Sequence, residues 1–310
     1  MSSDKLLKNL AAKKSALVIR HKVLAAVRSF FVADGFVEVD TPLLLSTVAP
    51  EEHITPLRCD GRVLATSPEL QMKQLVAAGL PKVFQITRSF RKGERGALHL
   101  PEFAILEWYR PGDGLDLLKK DLEGLFNHTA RQLGLGDTVD WQAQSIDLAA
   151  SWPSTTVQDA FVRYAGWDPI GDFDEDRFEL DLVNLVEPNL GLGRPEMLAY
   201  YPTQLGSLAK VDSRNSAVCQ RAELYVQGLE IANGFVELDD GEEQRRRFES
   251  ARTAMADRGD LPTKMPEDYL ASLAHLPPTV GMALGLDRMA MLFANAASID
   301  EVVAFTPDQG

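Results

Sequence analysis

Two arginines and five glutamates in this chain have the types and placement that work on a phosphate-bearing substrate would need. Arg91 lies on the polar face of a strand-like run, "FQITRSFR", and Arg288 opens a helical run behind the glycine-rich turn of "GMALGLDR". A guanidinium held on a rigid element presents several donors in a fixed fork, which suits phosphate oxygens. Glu223 and Glu230 stand on the two arms of a hairpin, "CQRAELYVQGLEIANGFVEL", and could hold a hard divalent cation that accompanies phosphates. Glu69, Glu107 and Glu237 could surround an ammonium group. Each residue alone could sit in a surface salt bridge. Their joint placement on strands is what points to a site.

The elements that must position them are legible. "SALVIRHKVLAAVRSFFVADG" repeats Ile19, Val23, Val27 and Phe30 at helical spacing, with Leu24 and Phe31 alongside and Gly35 as the stop. "FVEVDTP" reads as a short strand ending at Pro42. "VLATSPELQMKQLVAAG" runs from strand into helix, with Ser67 as N-cap, Pro68 in the first turn and Gly79 past the end. In the first central strand Gln85, Thr87, Ser89 and Arg91 share one face, and Phe84, Ile86 and Phe90 the other. In "EFAILEWY" Phe103, Ile105, Glu107 and Tyr109 oppose Ala104, Leu106 and Trp108. The segment 88–103 therefore joins two antiparallel strands through a long loop, a kind more often functional than idle. A helix is expected over 116–134, and short helical pieces broken by proline and glycine over 141–200. The hairpin turns near Gln227–Gly228. "DGEEQRRRFESARTAMADRG" is a helix carrying the i, i+4 pairs Glu242/Arg246 and Glu243/Arg247. The sum is one α+β domain over 1–310, an antiparallel β-sheet flanked by helices, with a helical insertion at roughly 140–200.

Composition narrows the class. A chain of 310 residues, 45% hydrophobic and 25% charged, is ordinary for a soluble enzyme. No apolar run approaches the ~20 residues that cross a bilayer, and no signal-peptide core is present, so a cytoplasmic protein without membrane partners is expected. Cys59 and Cys219 are far apart and lack metal-site spacing, which suits a reducing compartment. Five scattered histidines argue against zinc. The net charge of −13 disfavours a nucleic-acid partner such as tRNA, which usually meets a basic stripe. The basic cluster from Lys5 to Lys22 reads either as a docking surface for an acidic partner or as a frayed cationic helix.

"GFVEVDTPLL", "RSFRKGERGALHLPEFAILEWY" and "GMALGLDRMAML" resemble, in order, motifs 1, 2 and 3 of the class II aminoacyl-tRNA synthetases. "TSPELQMKQLVAAG", "EWYRP" and "GLEIANGFVEL" narrow the resemblance to the lysyl type, from about Leu17 to Thr306. A full lysyl-tRNA synthetase carries an N-terminal OB-fold that reads the anticodon. This chain starts almost at the catalytic core, so no such barrel is expected. It is similar to the stand-alone paralogue family that joins (R)-β-lysine to a lysine of translation elongation factor P.

The resemblance implies a reaction and a set of roles. ATP would activate lysine or (R)-β-lysine as an aminoacyl-adenylate, with Mg²⁺, and the acyl group would pass to elongation factor P. Arg91 and Arg288 are the catalytic arginines, Arg91 on the α-phosphate, and adenine lies between Phe103 and Arg288. Glu94, His99, Leu100, Glu230, Ile231 and Gly285 complete the ATP site, and Glu223 and Glu230 hold the metal. The donor's ammonium meets Glu69, Glu237 and Tyr109, with Ser67, Pro68, Glu107 and Asn233 nearby. Ala283 stands where lysyl-tRNA synthetases have glycine, a one-methyl change in the pocket. No protein nucleophile is needed, because the donor carboxylate attacks ATP directly. Motif 1, around Pro42, implies a homodimer.

Two positions depart from the family pattern. Phe90-Arg91-Lys92-Gly93 lacks the glutamate of Phe-Arg-any-Glu, and Leu100 replaces an asparagine. A bulge at Gly93 would swing Glu94 into the missing carboxylate's place. Two other readings stay open: a lysyl ligase acting on tRNA or a carrier protein, and a non-catalytic regulatory paralogue.

Overall fold

Alternation along two central strands decides which face of the sheet becomes core and which becomes site. The computed structural model describes residues 3–309. Among them one sheet is built from β1 (Val37–Glu38), β2 (Val83–Phe90), β3 (Glu102–Pro111), β4 (Ser154–Thr156), β5 (Glu196–Pro202), β6 (Val211–Asp212), β7 (Asn215–Val226), β8 (Leu229–Val236) and β9 (Thr279–Gly285). Its spatial order is β1-β2-β3-β9-β8-β7-β5-β4, with β6 beside β7. The centre is antiparallel; only the outer pairs β1/β2 and β4/β5 run parallel.

The helices are α1 (Ser3–Ala12), α2 (Lys14–Ala33), α3 (Glu69–Ala77), α4 (Leu115–Gln132), α5 (Val157–Tyr164), α6 (Glu175–Asp181), α7 (Gly241–Asp257), α8 (Glu267–Ser272) and α9 (Leu286–Ala294). Ala104, Leu106 and Trp108 of β3 and Phe84 of β2 pack with Val23, Val27 and Phe31 of α2, Leu118, Leu122 and Phe126 of α4, and Leu286, Met289 and Leu292 of α9. Fully burying such side chains contributes roughly 1.5–3 kcal/mol each. The opposite parity of β3 faces elsewhere: Tyr109 joins α3, α7 and α8 around Leu70, Phe248 and Tyr269. Register pairs Gln85 with Glu107 and Ser89 with Phe103, as the expected faces require.

Several expectations need correction. The strand expected to end at Pro42 is only Val37–Glu38, paired to β2. Pro68, not Ser67, is the residue preceding α3, although Ser67 Oγ still accepts from the Glu69 amide at 3.0 Å. Arg247 pairs with Glu243 as expected, but Arg246 turns to Glu243 at 2.6 Å instead of Glu242. The hairpin turn falls at Gln227 and Gly228, both at positive φ (52° and 74°), a conformation that two-residue hairpins require. Between residues 138 and 202 lie a small hairpin (Thr138–Trp141, Gln144–Asp147), β4, α5, α6, a π-turn at Leu182–Val186, and β5. No helix among the described residues is long and apolar enough to cross a membrane.

Candidate active site

A cavity of about 650 Å³ opens on the face of the sheet away from α2 and α4. Arg91, Glu94, His99, Leu100, Phe103, Glu223, Glu230, Ile231, Asn233, Ala283, Gly285 and Arg288 all line it. Strand parity and the β9–α9 junction thus bring together, from three separate stretches of chain, every residue assigned above to ATP.

The loop after β2 explains the odd glycine. β2 ends at Phe90, and Arg91 N still bonds Pro101 O at 2.9 Å across the loop. Lys92 N then bonds Thr55 O at 2.9 Å, and Gly93 turns the chain at φ +83°. This is a turn beyond the ladder rather than a bulge within it, because the pairing has already ended. Glu94 lines the cavity, with Oε1 3.7 Å from Arg91 Nη1. Arg91 Cζ lies 5.1 Å from the centroid of the Phe103 ring.

Arg288 projects from the first turn of α9 and is tied on three sides. Its Nη1 donates to Glu230 O at 2.6 Å and Glu230 Oε2 at 3.2 Å, and its Nε to Leu98 O at 3.4 Å. Its Nη2 donates to His99 Nε2 at 2.7 Å. Burial, and then the Arg288 charge, hold the His99 imidazole below its usual range, so the ring is neutral and Nε2 can accept. Beside it, Asp287 is buried and clamps two elements. Oδ1 accepts from Arg20 of α2 at 2.7 Å, and Oδ2 accepts the Ala104 amide of β3 at 2.7 Å. Phe103 and Arg288 are thus each one residue from a single carboxylate clamp.

The metal candidates differ in availability. Glu223 Oε1 accepts from Arg221 at 2.7 Å, while Oε2 takes the hydroxyls of Tyr201 and Tyr225. Burial pushes both tyrosines up, so they remain donors. A carboxylate accepts at about four positions, which leaves Glu223 one. Glu230 holds only Arg288 and is more exposed. The pair fits a Mg²⁺ bound mainly through phosphate and water, the usual arrangement for that ion.

The expected ammonium-binding residues do not line the cavity. Ser67, Pro68, Glu69, Glu107, Tyr109 and Glu237 form a closed cluster behind Asn233 and Ala283, and Ala283 is paired in register with both Asn233 and Glu107. Glu107 accepts from Ser67 Oγ at 2.6 Å and from Tyr109 OH at 2.9 Å. At the centre is a cation that the sequence reading passed over. Lys73 Nζ, 1% exposed, lies 2.6 Å from Glu69 and also contacts Glu237. Burial opposes the Lys73 charge, but Glu237 and Glu69 outweigh it and hold the ammonium well above its usual range. Three carboxylates thus face one ammonium. The surplus is shared by Glu107 and Glu237, each of which burial pushes up to about 8, with Glu69 adding to the rise and Lys73 opposing it. Gln85, buried opposite Glu107, has both side-chain polar atoms unpartnered, and Glu237 has no hydrogen-bond partner beyond its ion pair. Orphaned polar atoms around an acid surplus fit a cationic guest.

Gly281 closes one wall of this cluster. A Cβ there would stand 2.3 Å from both Glu237 Oε1 and Tyr109 Cε1. The sequence did hold signals for the missed residues: Glu69 and Lys73 are i, i+4 on a helix, and Gly281 precedes Ala283 by one strand period. Nothing in the sequence marks Asp287 as a clamp, because both its partners are more than 180 residues away.

Comparison with known proteins decides the family. The model for class II tRNA synthetases (D, K and N) matches residues 6–309. The chain belongs to that family. Among curated relatives, proteins named elongation factor P–(R)-β-lysine ligase match nearly end to end. That of Edwardsiella ictaluri is 34% identical, covering 96% of this chain and 97% of the relative. That of Pectobacterium carotovorum is 35% identical, with 96% and 97% covered. That of Klebsiella pneumoniae is 36% identical, with 94% and 95% covered. The fold agrees: a central, mostly antiparallel sheet flanked by helices, carrying the three motifs in the expected order.

Proposed function

We propose that the protein is an ATP-dependent ligase that activates (R)-β-lysine or lysine as an aminoacyl-adenylate and transfers the acyl group to a lysine side chain of elongation factor P. The observation that carries this reading is the buried surplus of carboxylates (Glu69, Glu107 and Glu237 against Lys73) directly behind an arginine-lined cavity. The names of the relatives support the acceptor.

ATP lies with its adenine between Phe103 and Arg288 and its α-phosphate on Arg91. The donor enters with its side-chain ammonium toward Glu69, Glu107 and Glu237 and its carboxylate toward Arg91. Arg91 then stabilises the charge that grows on the α-phosphate as the carboxylate attacks and pyrophosphate leaves. Glu94, swung in by the Gly93 turn, keeps the Arg91 guanidinium aimed into the cavity. Glu223 and Glu230 would hold Mg²⁺, which would supply charge neutralisation of the phosphates. The chain contributes chiefly positioning and electrostatics.

The whole chain acts as one catalytic domain in the cytoplasm. Val37, Leu43 and Leu44 of motif 1 are exposed apolar residues, which supports a homodimer through that surface. The charge of −13 disfavours tRNA as acceptor.

The test is donor-dependent ATP–pyrophosphate exchange, followed by mass spectrometry of elongation factor P and of tRNA. Exchange with (R)-β-lysine or lysine and a mass gain on the factor are expected. No exchange with any amino acid would overturn the reading, and transfer to tRNA alone would overturn the acceptor.

A further inference from the structure

Transfer to a lysine side chain, on the reading above, requires a step that adenylation does not. The acceptor is an ammonium with an ordinary pKa of about 10.4, and its nitrogen cannot attack until a proton leaves. Four carboxylates of the cavity have no part in the roles given so far, and three of them are paired with basic side chains, Glu52 with Arg258, Glu175 with His53 and Glu243 with Arg246 and Arg247. Glu51 lines the cavity in the loop 46–57, half-buried.

That loop is fixed from outside. Thr47 donates to Lys264 O, Glu52 accepts from Arg258 at 2.7 Å, and Thr55 donates to Asp260 at 3.2 Å, while Thr55 O receives Lys92 N from the Gly93 turn. The neighbours of Glu51 face the rim: Glu52 toward Arg258, and His53 toward Glu175 and Glu179 of α6 at 3.6 and 3.4 Å. Glu51 lines the cavity with no ion-pair partner among the described residues. The charges of Glu69, Arg91, Arg221 and Lys73 act on it through space, and none of these groups is hydrogen-bonded to it. It therefore shares the cavity with Arg91 and Arg221, near enough to Glu69 and Lys73 for their charges to reach it.

We propose that the Glu51 carboxylate is the proton acceptor for the incoming lysine amine in the transfer half-reaction. The acceptor ammonium gives one proton to Glu51, and its nitrogen lone pair forms the new bond to the acyl carbon. The acyl–oxygen bond to phosphate then breaks, AMP leaves with that electron pair, and the second nitrogen proton departs with the AMP phosphate. The product is an amide. Burial, then Glu69, push the Glu51 carboxyl up to about 7, with Arg91, Arg221 and Lys73 pulling against them. A base poised there accepts a proton near neutral pH and releases it to solvent. Glu51 is not needed as a donor anchor, since Glu69, Glu107 and Glu237 already supply carboxylates for the donor's ammonium.

The test compares half-reactions in full-length Glu51→Gln. Donor-dependent ATP–pyrophosphate exchange reports adenylation, and mass spectrometry of elongation factor P reports transfer. The ratio of transfer to exchange should fall by about 100-fold near neutral pH, the scale of general-base catalysis. It should recover as pH rises and the acceptor loses its proton unaided. Hydroxylamine, whose nitrogen is already unprotonated at neutral pH, should still capture the acyl group in proportion to exchange. An unchanged ratio would refute the role. So would an equal loss of exchange, which would make Glu51 a donor anchor, or a matching loss of hydroxamate. Wild-type protein without any exchange would instead overturn the ligase reading, and this inference with it.

Discussion

Gly281→Ala places one methyl group in the wall of the proposed donor site and should separate donor binding from ATP binding. The added Cβ would stand 2.3 Å from Tyr109 Cε1, 2.4 Å from Tyr109 Cδ1 and 2.3 Å from Glu237 Oε1. Ordinary contact begins near 3.4 Å, so the ring and the carboxylate must each yield by about 1.1 Å (3.4 − 2.3). The ring cannot retreat freely, because Tyr109 is packed among Leu70, Phe248 and Tyr269 and its hydroxyl is bonded to Glu107. Overpacking of this size costs about 1–3 kcal/mol of stability. A shift of about 1 Å in a positioning group can cost about 100-fold in rate. We therefore expect kcat/KM for the donor in ATP–pyrophosphate exchange to fall by about 100-fold, with the KM for ATP within about threefold of wild type. Thermal unfolding checks that the fold survives. Gly136→Ala, where an added Cβ meets nothing within 4 Å, is the control. A Gly281→Ala enzyme with unchanged donor kinetics would refute the location of the donor site, and an equal loss on ATP would refute its separation from the cavity.

Lys73→Met leaves Glu69 and Glu237 buried without their cation, a class of change that costs about 3–5 kcal/mol; urea denaturation should show such a loss, partly restored by donor, and a loss under about 1 kcal/mol would argue against the ion-paired cluster. Glu107 is an acid whose folded pKa is raised, so its contribution to stability is fully present below the ordinary carboxylate range, near 4.5, and is lost as pH rises through about 8. A bound ammonium favours its ionised form, so the thermal shift produced by donor should grow between about pH 6 and pH 9; a shift flat with pH would contradict the assignment. Asp287→Asn unbalances the clamp on Arg20 and the Ala104 amide. Because that clamp adjoins Phe103 and Arg288, the KM for ATP should rise by about tenfold or more while the donor KM moves little, and the reverse pattern would exclude a role in placing the adenine site.

What could be read from the sequence follows the range of the interactions involved. The cavity face of β3 was legible because alternation is local: Phe103, Glu107 and Tyr109 must share a side whatever they touch. The hairpin was legible because Gln227–Gly228 sits between two apolar runs. The same locality explains the errors. A helix start can shift by one residue when Pro68 and Ser67 can both serve the Glu69 amide. Arg246 can choose Glu243 over Glu242 because i, i+3 and i, i+4 partners are almost equally near. Lys73 was half visible. Its i, i+4 spacing from Glu69 is local, but its contact with Glu237 spans 164 positions of sequence, which no periodicity reports. Asp287 depends on such contacts alone, with α2 and β3 both distant in the chain.

The distribution of charge gives the pieces a common logic. At one end of the site Arg91, Arg221 and Arg288 gather guanidinium groups around the cavity, and at the other Glu69, Glu107 and Glu237 gather carboxylates around a single lysine. An amino acid with a charged side chain carries the complementary pattern, a carboxylate at one end and an ammonium at the other. Entering in the direction proposed above, it would set a cation against Glu107 and Glu237 and deliver its carboxylate toward Arg91. Entering in reverse, it would set carboxylate against carboxylate in a buried cluster, where unpaired charge is most costly. On the function proposed above, the buried acids would do more than hold an ammonium. By making only one orientation tolerable, they would place the nucleophilic carboxylate at Arg91, and that placement is the main thing catalysis without a protein nucleophile requires.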